Sequence, residues 1–200
     1  MKTPLPSARE QKKQATRNAL IAAAQRRFRD IGYASTTIDD ICADAKIGRR
    51  SFFRYFADKE SLVFPQRSER LQQFLDLLRH GPERDDPVGN LRHIAQIFAK
   101  QYGEHRESLL AQQRLIESSA ELLAREREID RDWENAMTQA VRNRLDGQPD
   151  AEVQARLFAG AAIGVIRATM RYWFENDGRP DLAELGHKAL DRLEQGFWAD

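Results

Sequence analysis

Thr36-Thr37-Ile38-Asp39-Asp40-Ile41-Cys42-Ala43-Asp44-Ala45-Lys46-Ile47-Gly48-Arg49-Arg50-Ser51-Phe52-Phe53-Arg54-Tyr55-Phe56 decides how the chain is read. Thr36 and Thr37 are hydroxyl residues of the kind that cap a helix start, and Ile38, Ile41, Cys42 and Ala45 then recur at steps of three and four, an apolar face about two turns long. Lys46-Ile47-Gly48 interrupts the pattern, with Gly48 free to take the backbone angles of a tight turn. A second short helix runs from about Arg49 through Phe56, because Phe52 and Phe56, four apart, both face inward. Two short helices about a glycine-containing turn are the layout of a helix-turn-helix DNA reader. With Ile47, Phe52 and Phe56 held to the core, Arg49, Arg50, Phe53 and Arg54 lie toward the outer side, with Ser51 and Tyr55 at its edges. Guanidinium groups on so short a helix suit guanine edges or phosphates, and Phe53 suits a thymine methyl. Thr37, Tyr55 and Lys59 lie near helix starts, where a phosphate contact positions without reading.

Outward from this stretch the pattern stays helical. Residues 1–14 are polar and basic, with Pro4, Pro6, Arg9, Lys12 and Lys13, and read as a flexible arm. Ala19, Leu20, Ala23, Ala24, Phe28 and Ile31 mark a first helix from Ala15, stopped by Gly32. Asp58 is the next cap, predicting a long helix through Leu62, Phe64, Leu71, Phe74, Leu75 and Leu78, with Pro65 early enough to be tolerated or to kink it. Beyond Gly81-Pro82, helical stretches over Val88 to Gly103, Arg106 to Leu145, Ala151 to Asn176 and Leu182 to Trp198 are separated by glycine and proline, and the second breaks near Ser118-Ser119. The expected organisation is all-α: a 1–14 arm, a three-helix bundle with the helix-turn-helix over 15–60, and a larger helical domain over 61–200.

Charge follows the same division. Residues 1–60 hold 13 Lys/Arg against 7 Asp/Glu, while residues 61–200 hold 19 against 24, so an overall charge of +1 conceals a basic head on an acidic body. A lone Cys42 forms no internal disulfide, and the histidines show no metal-ligand spacing, so no metal or cofactor is expected. The longest apolar run, Leu157 to Ile166, is short of the roughly 20 residues of a membrane span. No secretory signal opens the chain, and a reducing cytoplasm is expected. Gly-rich phosphate loops, G-x-S-x-G and H-E-x-x-H are absent, which argues against an enzyme. The rival class is a helical adaptor whose basic head binds an acidic protein without reading nucleic-acid sequence.

Gly32-Tyr33, Thr36-Thr37-Ile38, Ile41-Cys42, Ala45-Lys46-Ile47-Gly48, Phe52-Phe53-Arg54-Tyr55-Phe56 and Asp58-Lys59-Glu60-Ser61-Leu62 together resemble the DNA-binding domain of the TetR family of transcriptional regulators over residues 15 to 64. Three positions depart from the family pattern: Lys46 stands where glycine is usual, Cys42 where alanine is common and Arg54 where an aromatic residue is frequent. The resemblance implies a homodimer that binds an inverted-repeat operator on double-stranded DNA and is released by a small-molecule effector.

Residues 85 to 198 are similar to the TetR subgroup with an acyl-CoA-like ligand-binding domain, through Arg114 to Glu117, Glu121 to Arg127, Arg171-Tyr172-Trp173 and the last helix. Phe98, Tyr102, Trp133, Met137, Phe158 and Trp173 are candidates to line a cavity, and Arg114, Arg167 and Arg171 to meet an anionic head group. Each also reads as ordinary core or surface ion pair. Gly160 and Gly164, one turn apart, let a second backbone approach, and Leu182, Leu185, Ala189, Leu193 and Phe197 form an apolar stripe; these are the candidate dimer contacts.

Overall fold

A computed structural model describes residues 7–81 and 86–196. The described residues form α1 (Ala8–Ile31), α2 (Ile38–Ala45), α3 (Arg49–Tyr55), a 3-10 turn (Glu60–Leu62), α4 (Arg67–His80), α5 (Pro87–Glu104), α6 (Arg106–Glu117), α7 (Ala120–Arg144), α8 (Ala151–Glu175) and α9 (Leu182–Gln195), with no strand among them. None of these helices is long and apolar enough to cross a membrane, and no three His, Cys, Asp or Glu side chains among the described residues are grouped to hold a metal ion. The chain divides into two compact units: Met1–Gln66 with Leu115–Leu123, and Arg67–Arg114 with Ala124–Asp200.

The first unit is built on α1. Its core joins Leu20, Ala23, Ala24 and Phe28 of α1 to Ile41 and Cys42 of α2, Phe52 and Phe56 from the α3 region, and Leu62 and Val63. Full burial of a side chain such as Phe52 stabilises by roughly 2 to 3 kcal/mol. Ile116 and Leu122 complete this core, so the end of α6 and the start of α7 pack with the head although about fifty residues separate them from Gln66. The helix break at Ser118-Ser119 makes this possible: Ser119 Oγ accepts from Leu122 N at 3.4 Å and starts α7.

Two helix limits differ from the sequence expectation. Residues 7–14 are no flexible arm, because Ser7 caps α1, which starts at Ala8, seven residues before Ala15: Ser7 Oγ accepts from Glu10 N at 3.3 Å and the Glu10 carboxylate accepts from Ser7 N at 2.7 Å. The rest of the expected arm, residues 1–6, lies outside the described residues. Asp58 starts only the 3-10 turn, accepting from Ser61 N at 2.8 Å. Pro65 supplies no N–H and disfavours helical angles at Phe64, so α4 begins afresh at Arg67.

In the second unit, Phe74, Leu75 and Leu78 of α4 pack with Leu91 and Ile94 of α5, Met137, Ala140 and Val141 of α7, Ala155, Ala159, Ala162 and Ile163 of α8 and Leu190 of α9. Small residues along α8 let its backbone come close to its neighbours. Asn90, fully buried, donates to Leu78 O at 3.0 Å and satisfies a terminal carbonyl of α4. Arg92 of α5 clamps α9 through Asp191 and Glu194 at 2.7 and 2.6 Å. The α8–α9 turn needs a glycine: Gly178 has φ +63, and a Cβ there would lie 2.8 Å from the Trp173 ring.

Candidate nucleic-acid interface and effector region

The geometry of α2 and α3 begins with their caps. Thr37 Oγ1 accepts from Asp40 N at 3.1 Å and donates to Asp40 Oδ2 at 2.6 Å, so the hydroxyl expected at a phosphate closes the first turn of α2. The bond from the Thr37 hydroxyl, with a second from Thr37 N to the same oxygen at 3.1 Å, holds the Asp40 carboxyl below its ordinary pKa. The residue that takes left-handed angles between the helices is Lys46, at φ 55, ψ 41, and not Gly48, whose φ of −66 any residue adopts. Lys46 N and Ile47 N then donate to Ala43 O and Cys42 O at 3.1 and 3.0 Å, closing the turn.

On α3 the inward and outward residues separate cleanly. Phe52 is fully buried and meets the rings of Phe53 at 5.2 Å and Phe56 at 5.8 Å. Arg49, Arg50, Phe53 and Arg54 are exposed, and Ser51 and Tyr55 are half-buried at the margins. Phe53 is 48% exposed, a large apolar surface left uncovered on a seven-residue helix. Arg49 is ion-paired with Asp39 and stands 5.7 Å from the Phe53 ring centre. Arg54 lies 5.1 Å over the Tyr55 ring. A hydrogen bond from Arg54, with Thr16 and the charge of Lys13 beside it, lowers the pKa of the Tyr55 hydroxyl. Arg50 makes no ion pair among the described residues. α2 itself is anchored to α1 by Arg27, which donates to both oxygens of Asp44 at 2.6 and 2.9 Å.

Lys59 stands differently from the sequence expectation. Its ammonium donates to Tyr33 O at 3.0 Å and Thr36 O at 3.1 Å and sits 4.0 Å from the Tyr33 ring centre. Two of its three protons therefore tie the α1–α2 loop to the start of the 3-10 turn.

The candidate effector residues are dispersed through the second unit. Phe98 meets Tyr102 at 6.1 Å and Trp133 at 6.4 Å, Trp133 meets Phe74 at 5.1 Å, and the Arg70 guanidinium lies 5.1 Å over Tyr102. Met137 is fully buried and Phe158 packs against the same core. Trp173 is apart from this group: buried under the α8–α9 turn, its indole donates to Pro180 O at 3.1 Å, a structural contact. Arg114 pairs with Asp177 at 3.2 Å, and Arg167 with Asp130 at 3.5 Å, with Arg171 also in the field of Asp130. Asp130 is half-buried, and desolvation raises its pKa despite both arginines.

The candidate dimer contacts fall into two groups. On α8, Gly160 and Gly164 are half-buried, with open space beyond Gly164. Beside them Val153 and Leu157 are 56% and 68% exposed and Ala161 and Ala168 are uncovered, an outward apolar row. On α9, Leu182, Leu185 and Ala189 are half-buried, whereas Leu193 packs into its own core and Leu190, between the expected positions, is buried. Phe197 lies outside the described residues.

Sequence reasoning missed Asp39, Arg70, Phe74 and Asp130. Asp39 alone left a signal, as an acidic residue in the first turn of α2 ahead of the arginines; the other three gain meaning only from neighbours far along the chain.

Comparison with known proteins agrees with this geometry. Residues 20–64 match the family model of bacterial regulatory proteins, tetR family, and residues 85–198 match the MftR C-terminal domain. The chain is 28% identical to the HTH-type transcriptional regulator TcmR of Streptomyces glaucescens, over 98% of this chain and 90% of that one. The fold is similar to the transcriptional regulator FadR of Bacillus subtilis solved in complex with stearoyl-CoA, at TM-score 0.57 and 20% identity, covering 90% of this chain and 98% of that one. It is similar also to the SmeT–triclosan complex, at TM-score 0.57 and 26% identity, covering 89% of each chain.

Proposed function

The chain belongs to the TetR family and is a ligand-responsive transcriptional regulator, not an enzyme; from that premise we propose that it represses as a homodimer on an inverted-repeat operator and is released by an acyl-CoA-like effector. The observation that carries the reading is α3, where Phe52 anchors the helix in the core while Arg49, Arg50, Phe53 and Arg54 face outward from the same seven residues. Arg50 and Arg54 are assigned to base edges, and Arg49 joins them when it leaves Asp39. Phe53 packs on a thymine methyl, and Ser51, Thr37 and Tyr55 serve the backbone. The outward row Val153, Leu157, Ala161 and Ala168 of α8, with half-buried Gly164 among them, meets its own copy across a two-fold axis, with Leu182, Leu185 and Ala189 of α9 flanking it. A dimer of this kind sets its reading helices roughly 34 Å apart to meet successive major grooves.

The effector reading is supported by the stearoyl-CoA complex of B. subtilis FadR and by the aromatic group Phe74, Phe98, Tyr102 and Trp133 beside Arg70. Arg167 and Arg171 are the cations for an anionic head group, with Asp130 as their resident counterion. α6 ends and α7 begins inside the head's own unit, with Ile116 and Leu122 in its core. A shift of either helix on effector binding therefore reaches the packing beneath α2 and α3.

Selection of bound fragments from genomic DNA tests the reading. An inverted repeat should emerge, and Arg50→Ala with Arg54→Ala should abolish its gel shift without changing sedimentation. Fragments without a common sequence would favour the adaptor. Stearoyl-CoA should release the operator and raise the melting temperature by mass action; release by triclosan with none by stearoyl-CoA would remove the acyl effector.

A further inference from the structure

α1 begins well before the residues that the family model of the head covers. The family match starts at residue 20, whereas α1 starts at Ala8 and is held there by the Ser7–Glu10 capping box. Residues 8–15 of this extension are all exposed. It carries Arg9, Lys12, Lys13 and Arg17, with Glu10 as its one acid. Glu10 is engaged by Ser7 N and Ser7 Oγ at 2.7 and 2.9 Å, with Lys13 also lowering its pKa. Arg17 is turned to the protein, donating to Pro65 O and lying 5.6 Å from the Phe56 ring centre.

The decisive feature is the face on which the remaining cations stand. Leu20, Ala23, Ala24 and Phe28 are the buried stripe of α1. Traced backward by the same steps of three and four, that stripe falls on Thr16 and Arg17, then on Lys12 and Lys13, then on Arg9 and the capped Glu10. The face that is apolar inside the head turns cationic where the helix runs past it, rather than on the side away from the core. At the changeover it meets α3, since Tyr55 sits against Thr16 in the field of Lys13 and Arg54. Arg54 and Lys13 both act on Tyr55, and Lys12 and Arg9 continue from Lys13 along the exposed start of α1. Like charges three and four apart on a helix repel each other, and a row of phosphates relieves that repulsion.

Resting on the DNA-binding reading, we propose that Arg9, Lys12 and Lys13 form a second contact with the same duplex, extending the α3 interface onto the sugar-phosphate backbone. The row positions and does not read bases, because these side chains stand beside the reading helix and not on it.

The test is the R9A/K12A/K13A variant, in which alanine preserves helix propensity, measured by fluorescence anisotropy on the selected operator across a KCl series. Each lost phosphate contact should lower the slope of log K against log salt by about 0.9, hence about 2 to 3 per protomer. Operator affinity at moderate salt should fall about tenfold or more, non-operator DNA should lose as much, and the ranking of base-substituted operators should stay the same. An unchanged slope in a variant with wild-type circular dichroism would overturn the proposal while leaving the reading by α3 intact. A changed base ranking would overturn it by placing the row in a groove, and a smaller sedimenting species by making it a contact between chains. If alanine lowers helix content, R9Q/K12Q/K13Q is read in the same way. A wild-type chain that binds no duplex would remove the DNA reading and this proposal together.

Discussion

Arg49 donates through a single nitrogen, Nη1, to both carboxylate oxygens of Asp39, at 2.6 and 2.7 Å, across the turn between α2 and α3. The pair is well exposed, so its net stabilisation is small. Its consequence is for binding: an arginine of the reading helix is held by an acid that repels phosphate. Asp39→Asn frees Arg49 and removes that repulsion, and should tighten operator binding roughly two- to fivefold, the scale of an exposed ion pair. Anisotropy titration at fixed salt checks this, and weaker binding would mean that Asp39 orients Arg49 for its base.

Lys46 holds left-handed angles at the end of α2, a conformation disfavoured by about 1 kcal/mol for a residue with a Cβ. Lys46→Gly removes that strain but enlarges the freedom of the unfolded chain, so a gain somewhat below 1 kcal/mol is expected in urea unfolding. A loss of stability would show that the lysine side chain makes a compensating contact.

Lys59 joins Tyr33 O and Thr36 O, and its loss removes the charged donor from both, leaving Tyr33 O with Thr36 N at 3.2 Å. Lys59→Ala should destabilise the protein by roughly 1 to 3 kcal/mol, seen as a fall of several degrees in melting temperature without DNA. A lysine that served only as a phosphate contact would leave melting unchanged and alter the salt slope alone.

Asp130 is half-buried, and desolvation raises its pKa above the ordinary 3.8. A raised acid takes up a proton on folding between its unfolded and folded pKa, so stability is lost as pH rises through that interval. Asp130→Asn should therefore melt about 1 to 3 °C higher at pH 7, with the difference shrinking as pH falls toward 4 and gone below it. Melting curves across pH read this directly, and an advantage that grew in acid would contradict the sign.

Leu157 presents 68% of its surface on α8. Leu157→Glu should shift the sedimenting species from dimer to monomer and reduce operator affinity by at least about tenfold, because two half-sites are no longer engaged together. A variant that stays dimeric would move the interface away from this row.

Local chemistry written in contiguous residues was legible without coordinates. Thr37, Phe52 and Phe56 specify the helix pair through caps and through spacings of three and four, interactions that span one or two turns. The break at Ser118-Ser119 was legible for the same reason, since a cap acts on the next few amides. Ser7 with Glu10 was equally local, and the capping box was obscured only by the polar, proline-bearing run around it.

Folding in three dimensions decided which surfaces those local elements share. Ile116 and Leu122 lie about fifty residues from Gln66, and their place in the head core follows from burial, which is indifferent to chain order. The same holds for the partners of Arg49 and Lys59: composition lists the charges, but proximity pairs them. Hydrogen bonds and helix caps are short-ranged and can be read along a chain, whereas packing and ion pairing depend on distances that exist only once the chain has folded.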